Sequence, residues 1–178
     1  MKIETATIQR LRDALLQSGR RPSIVMSSAY ETLARQGLLS AEETTALERV
    51  DPLAETMYLM MAADGKVHES EKDAIRGAIR GLTGDVLRSG IIESMLSNYA
   101  DKLTAQGREN RLEEIAERLS ESPLEAETAF SLAAAVALAD DDVAEEENEL
   151  INQLADWFEI GKSRAEEILD ELLEDRAQ

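Results

Sequence analysis

The sequence predicts an all-α protein, a single-domain helical bundle with an internal pseudo-two-fold repeat, and three observations carry that prediction. Strand signals are missing: there is no sustained apolar–polar alternation and no Asn-Gly turn. Helix caps, glycine stops and proline starts recur along all 178 residues. A short acidic pattern also occurs twice. Ala63-Asp64-Gly65-Lys66-Val67-His68-Glu69-Ser70-Glu71 aligns with Ala139-Asp140-Asp141-Asp142-Val143-Ala144-Glu145-Glu146-Glu147, and Ile75 then aligns with Ile151. Ala, Asp, Val, Glu and Glu keep identical spacing in both copies.

The elements follow in order. Thr5–Gln17 reads as a first helix stopped by Gly19. Pro22-Ser23 opens a second that ends at Gly37. Ser40 with Glu43 three residues later is a capping box starting a short third helix. Asp51-Pro52 reads as an N-cap followed by proline, opening a helix to Ala63. Helices are then expected over Glu69–Leu82, Ile91–Ala105 and Glu109–Leu119, with breaks at Gly84 to Gly90 and at Gly107. Ser122-Pro123 repeats the cap-plus-proline device and opens a helix to Ala139. Glu145–Phe158 and Ser163–Leu173 complete the series. Residues 1–50 form an N-terminal helical extension in this reading, and residues 51–178 the duplicated body.

Composition narrows the function classes. Hydrophobic residues make up 43% and aromatics 3%, so the core must be built from aliphatic side chains, Met and Ala. With no cysteine, thiolate metal sites and disulfides are excluded. The start of the chain lacks the apolar run of a signal peptide, and no stretch approaches a membrane span; a cytoplasmic protein is the expectation. The net charge of −18 is uneven: residues 121–178 carry eighteen acids and three bases. Such a field repels nucleic acid and attracts cations and basic partners. Protein partners are therefore expected, with a homo-oligomer among the options, and no nucleic acid or membrane. There is no phosphate loop, HExxH or Gly-x-Ser-x-Gly, which points away from an enzyme.

Four carboxylates stand apart from the solvated majority. Glu71 lies four residues before Ile75, on the stripe Ile75, Ile79, Leu82. Glu147 lies four before Ile151, on the stripe Ile151, Ala155, Phe158. Asp64 follows Met57 and Met60 at helical spacing, and Asp140 follows Ala133 and Val136. Each repeat should thus direct one Asp and one Glu toward the interior or its rim, where a carboxylate needs hydrogen bonds, a counter-charge or a metal. Two readings follow. Glu71 and Glu147 stand at the N3 place of a capping box, but His68 and Ala144 replace the usual Ser or Thr, so only the backbone half could form. Alternatively Asp64, Glu71, Asp140 and Glu147 hold a divalent cation, Ca²⁺ or Mg²⁺ before Zn²⁺. EF-hands are excluded, because Met60, Ala62, Val136 and Leu138 would occupy their first ligand positions. Lys72, Arg76 and Arg80 form a basic stripe, which could dock a phosphate-bearing or acidic partner but is read first as a solvent face or as an ion-pair surface for the acidic half. Trp157 and Phe158, at a stripe's end, are read as core.

The strings Met60–Glu71 with Ile75 and Ala137–Glu147 resemble the TerB family of tellurite-resistance proteins and the wider TerB-like domain. The shared element is Ala-Asp-Gly, an aliphatic residue, then Glu at the start of the next helix. The resemblance covers residues 51–178. It implies an all-α fold with an internal repeat, metal binding through Asp64, Glu71, Asp140 and Glu147, and a stress-response role without catalysis, as scaffold or sensor. Asp141 departs from the family by replacing the second glycine. The competing expectation is a metal-independent acidic adaptor whose loop carboxylates only cap helices.

Overall fold

A computed structural model describes residues 3–17, 28–139 and 143–177. Among them the fold is all-α, in the order α1 (Thr5–Gln17), α2 (Ser28–Arg35), α3 (Ala41–Met61), α4 (Glu69–Thr83), α5 (Ser89–Gln106), α6 (Arg108–Leu119), α7 (Pro123–Ala137), α8 (Glu145–Trp157) and α9 (Lys162–Ala177). The expected helix start at Pro22-Ser23 lies outside the described residues. The end at Gly37 is present: Gly37 has φ 69°, and the Leu38 N–H closes back on the Leu33 carbonyl at 3.0 Å.

One boundary is corrected. Asp51-Pro52 does not start a helix; Pro52 lies inside α3, which runs unbroken from its Ser40 cap. Ser40 Oγ accepts the Glu43 N–H, and Glu43 Oε2 accepts the Ser40 N–H, so the capping box is complete. An internal proline costs about 3 kcal/mol. The helix continues because Leu47, Val50, Leu53, Ala54 and Met57 are all buried in one core, and that packing outweighs the local penalty.

Helix α3 is buried at every position from Val50 to Met61. A helix buried all round belongs at the centre of a bundle. It packs along α7, the other central helix. Ala129, Ala133, Ala134 and Ala137 are buried on α7, and their small side chains let the two backbones come close. Around this pair sit α4, α5 and α6 against α3, and α8 and α9 against α7.

The first helix is seated on α4 and also touches α7 and α9. Ile8, Leu11 and Leu15 face inward. The seat depends on Gly81, where an added Cβ would stand 2.5 Å from Ile8 Cγ2. Charge closes the other side. Arg10 pairs with Glu171 at 2.7 Å and Asp175 at 2.8 Å, and the Thr7 hydroxyl donates to Asp175. The near-neutral start of the chain thus meets its acidic end.

Candidate functional site

The first acidic turn joins α3 to α4. Helix α3 stops at Met61, three residues before Asp64, so the helical projection that aimed Asp64 inward does not reach it. Asp64 is exposed. Its Oδ1 accepts the Lys66 N–H at 2.8 Å, while Gly65 takes φ 78°. This is the local side-chain turn that Asp and Gly favour. Glu71 is half-buried, and its Oε2 accepts the His68 N–H at 2.8 Å. His68 is the exposed N-cap and its side chain caps nothing.

The second turn repeats that bond. Glu147 Oε2 accepts the Ala144 N–H at 2.8 Å. Both glutamates therefore satisfy a first-turn donor of their own helix and place negative charge at its positive end. Only the backbone half of each box forms, as the His and Ala at the cap positions require. Asp140, Asp141 and Asp142 lie outside the described residues. Among the described residues, no three His, Cys, Asp or Glu side chains come together as a metal-binding group. A cation at the first turn would need ligands from the second turn as well, or several waters.

The basic stripe on α4 is an ion-pair surface, but its partners are local. Arg76 contacts Glu69 and Asp73 at 2.7 Å on α4 and Glu93 at 2.6 Å on α5. Lys72 also reaches Glu69, and Arg80 donates to Ser89. The hydrogen bond from Arg76 lowers the Glu93 pKa. None of these partners belongs to the C-terminal third.

The most deeply placed charges are ones that the repeat did not mark. Asp51 and Glu55, one turn apart on α3, face Arg118 and Arg111 on the antiparallel α6. Glu55 and Arg111 are 0% and 1% exposed. Their pairing is bidentate, Nε to Oε1 at 2.7 Å and an Nη2 to Oε2 bond at 3.1 Å. Arg111 also donates to Gln106 at 2.7 Å and to Glu114. Burial pulls the Arg111 pKa down, but Glu55 and Glu114 outweigh it and the net shift is upward. Asp51 receives Arg118 at 2.8 Å on one oxygen and the Tyr99 hydroxyl at 2.7 Å on the other. Burial first, then the Asp51 charge, pushes Tyr99 and Tyr30 well above the usual tyrosine value. A signal for this network was present: Arg111 continues the Ile115–Leu119 stripe of α6, an odd place for a solvated charge.

Trp157 is also corrected. Phe158 is buried at the C-cap of α8, as expected of core, but Trp157 is 39% exposed. It is the last helical residue, and Phe158 takes the inward place beside Leu154.

Fold and turns together define a class: an all-α protein in which two acidic turns each lead into a helix held by its own glutamate. The sequence profile described as Tellurite resistance protein TerB matches residues 51–170. The chain belongs to the TerB family, and is a TerB-like, tellurite-resistance-type module. No curated protein and no solved structure matches it. None of the described helices is long and apolar enough to cross a membrane.

Proposed function

We propose that the chain is a non-enzymatic contact module of the tellurite-resistance type, an adaptor or scaffold whose loop carboxylates fix the turns and whose acidic surface meets a partner. The observation that supports this is the duplicated cap: in both turns the glutamate holds a backbone N–H at 2.8 Å. A second reading, a divalent cation held by Asp64, Glu71, Asp140 and Glu147, is favoured by one detail. Asp64 Oδ2 and Glu71 Oε1 meet no donor among the described residues, and so could each offer an oxygen to Ca²⁺ or Mg²⁺.

Glutamine separates the two readings, because it can accept the same N–H but carries no charge. Chelator-treated protein is titrated calorimetrically with Ca²⁺, Mg²⁺ and Zn²⁺, beside a Glu71→Gln/Glu147→Gln variant. The adaptor reading expects no saturable heat from either protein and similar melting. Saturable binding that disappears in the variant overturns it in favour of the cation.

A further inference from the structure

Behind the α6–α8 contact lies a cavity of about 470 Å³, closed on one side by the start of α7. Its floor is apolar: Leu119, Ala126 and Phe158 are buried there. One wall is the half-exposed Trp157, the only tryptophan of the chain. The rim is acidic, from Glu113 and Glu117 on α6 and Glu159 after α8, and among the described residues no basic one lines the cavity.

The charge is uncompensated for a structural reason. Two arginines of α6, Arg111 and Arg118, point to the opposite side and are engaged by Glu55 and Asp51. Glu113, Glu117 and Glu159 are exposed and form no ion pair among the described residues. Glu159 is also held at φ 54°, a conformation in which glycine is free of strain. The Ile160 N–H bonds the Ala155 carbonyl at 2.8 Å and closes the helix end around it. A glycine would make the same turn without the carboxylate.

Resting on the reading of the chain as a contact module, we propose that this cavity docks a basic segment of a partner protein. An apolar side chain of that segment would seat against Trp157 and Phe158, and flanking Lys or Arg would meet Glu113, Glu117 and Glu159. An exposed indole beside an apolar floor is the anatomy of a binding hot spot, and it also stacks well on the stem or head of Lys and Arg. The net charge of −18 draws a basic segment to the protein, and the rim carboxylates Glu113, Glu117 and Glu159 favour this face for it. A simple organic polycation would satisfy the rim and leave the floor unused, so charge and apolar surface together select a peptide.

Trp157 supplies the readout. Its fluorescence in the full chain is followed while a short amphipathic Leu/Lys peptide is added, beside a Leu/Glu peptide and spermidine. The expected result is a saturable shift with the Leu/Lys peptide alone, weakened by salt. Glu113→Gln/Glu117→Gln should lower that affinity by about tenfold or more. Glu159→Gly should bind more weakly while melting at or above the wild-type temperature, since the turn is relieved; this separates binding from folding. Peptide binding with unchanged affinity in these variants overturns the cavity and leaves the acidic adaptor standing. No binding of the Leu/Lys peptide overturns both. An equal response to spermidine overturns a protein partner in favour of small cations.

Discussion

The acidic turns and the α3–α6 seam use carboxylates in opposite ways. Asp64 stands in solvent, and Glu71 and Glu147 are half-covered; the bonds described for all three go to backbone N–H groups within three residues. Asp51 and Glu55 are buried, and their donors come from residues 48 to 67 positions away. The first arrangement shapes a loop. The second fixes how one helix lies on another. Local bonds to exposed groups are worth tenths to about one kcal/mol, whereas removing one member of a buried pair strands a charge in the interior.

The sharpest way to break this comparison is Arg111→Met. Glu55 then loses its counter-ion, and chemical denaturation should show a loss of about 3–5 kcal/mol. Adding Glu55→Leu should recover most of it, because an apolar pair of similar size needs no counter-charge. If the single variant loses no more than an exposed pair would, the seam is wetter than its burial indicates.

Tyr99→Phe comes next. One oxygen of Asp51 loses its 2.7 Å donor, at a cost of about 1–3 kcal/mol. The pH dependence carries a second signature. The folded tyrosine pKa is raised, so its contribution is fully present below the unfolded value of about 10 and falls as pH rises beyond it. Urea midpoints measured across that range should fall less steeply in the variant.

The turns should respond more weakly. Glu71→Ala and Glu147→Ala each remove one cap bond and should lower stability by about 1 kcal/mol, additively, in thermal melts. Losses as large as that of Arg111→Met would show that the turns hold more than a cap.

The smallest effect tests a contact between elements in which a buried Glu43 meets an exposed Arg88. The side-chain hydrogen bond from Arg88, then the Ser40 N–H, lowers the Glu43 pKa. Its contribution is present above the unfolded value of about 4.3 and is lost as pH falls through the lower folded value. Glu43→Gln should lower the neutral midpoint slightly and flatten the acid limb of a midpoint-versus-pH curve, so that variant and wild type converge at low pH.

Most helix limits were legible because their signals are local. The glycine stops at Gly84 and Gly107 and the start at Ser122-Pro123 stand where caps and glycines put them. The same cap-plus-proline pair failed at Asp51-Pro52. Before Ser122 the chain has already left α6, whereas before Asp51 the apolar positions Leu47 and Val50 carry the helical period through. The half-caps were legible too, since their partners are three residues apart. Asp64 misled because a helical projection was extended past the helix end. For the ion pairs of α3 and α6 only the inward place of Arg111 was legible; its partner was not, because pairing across so many residues is set by tertiary packing. Trp157 was misplaced because a stripe does not show where its cover ends.

The unbroken α3 has a practical corollary for dissecting the molecule. The family match opens at residue 51, in the middle of that helix. A fragment cut there would begin with a frayed turn at Asp51, the residue that receives Tyr99 and Arg118. It would also lack the Ser40 box and the buried Leu47 and Val50. The span that the family shares and the span that keeps α3 whole are therefore different, and an excised domain should begin before Ser40.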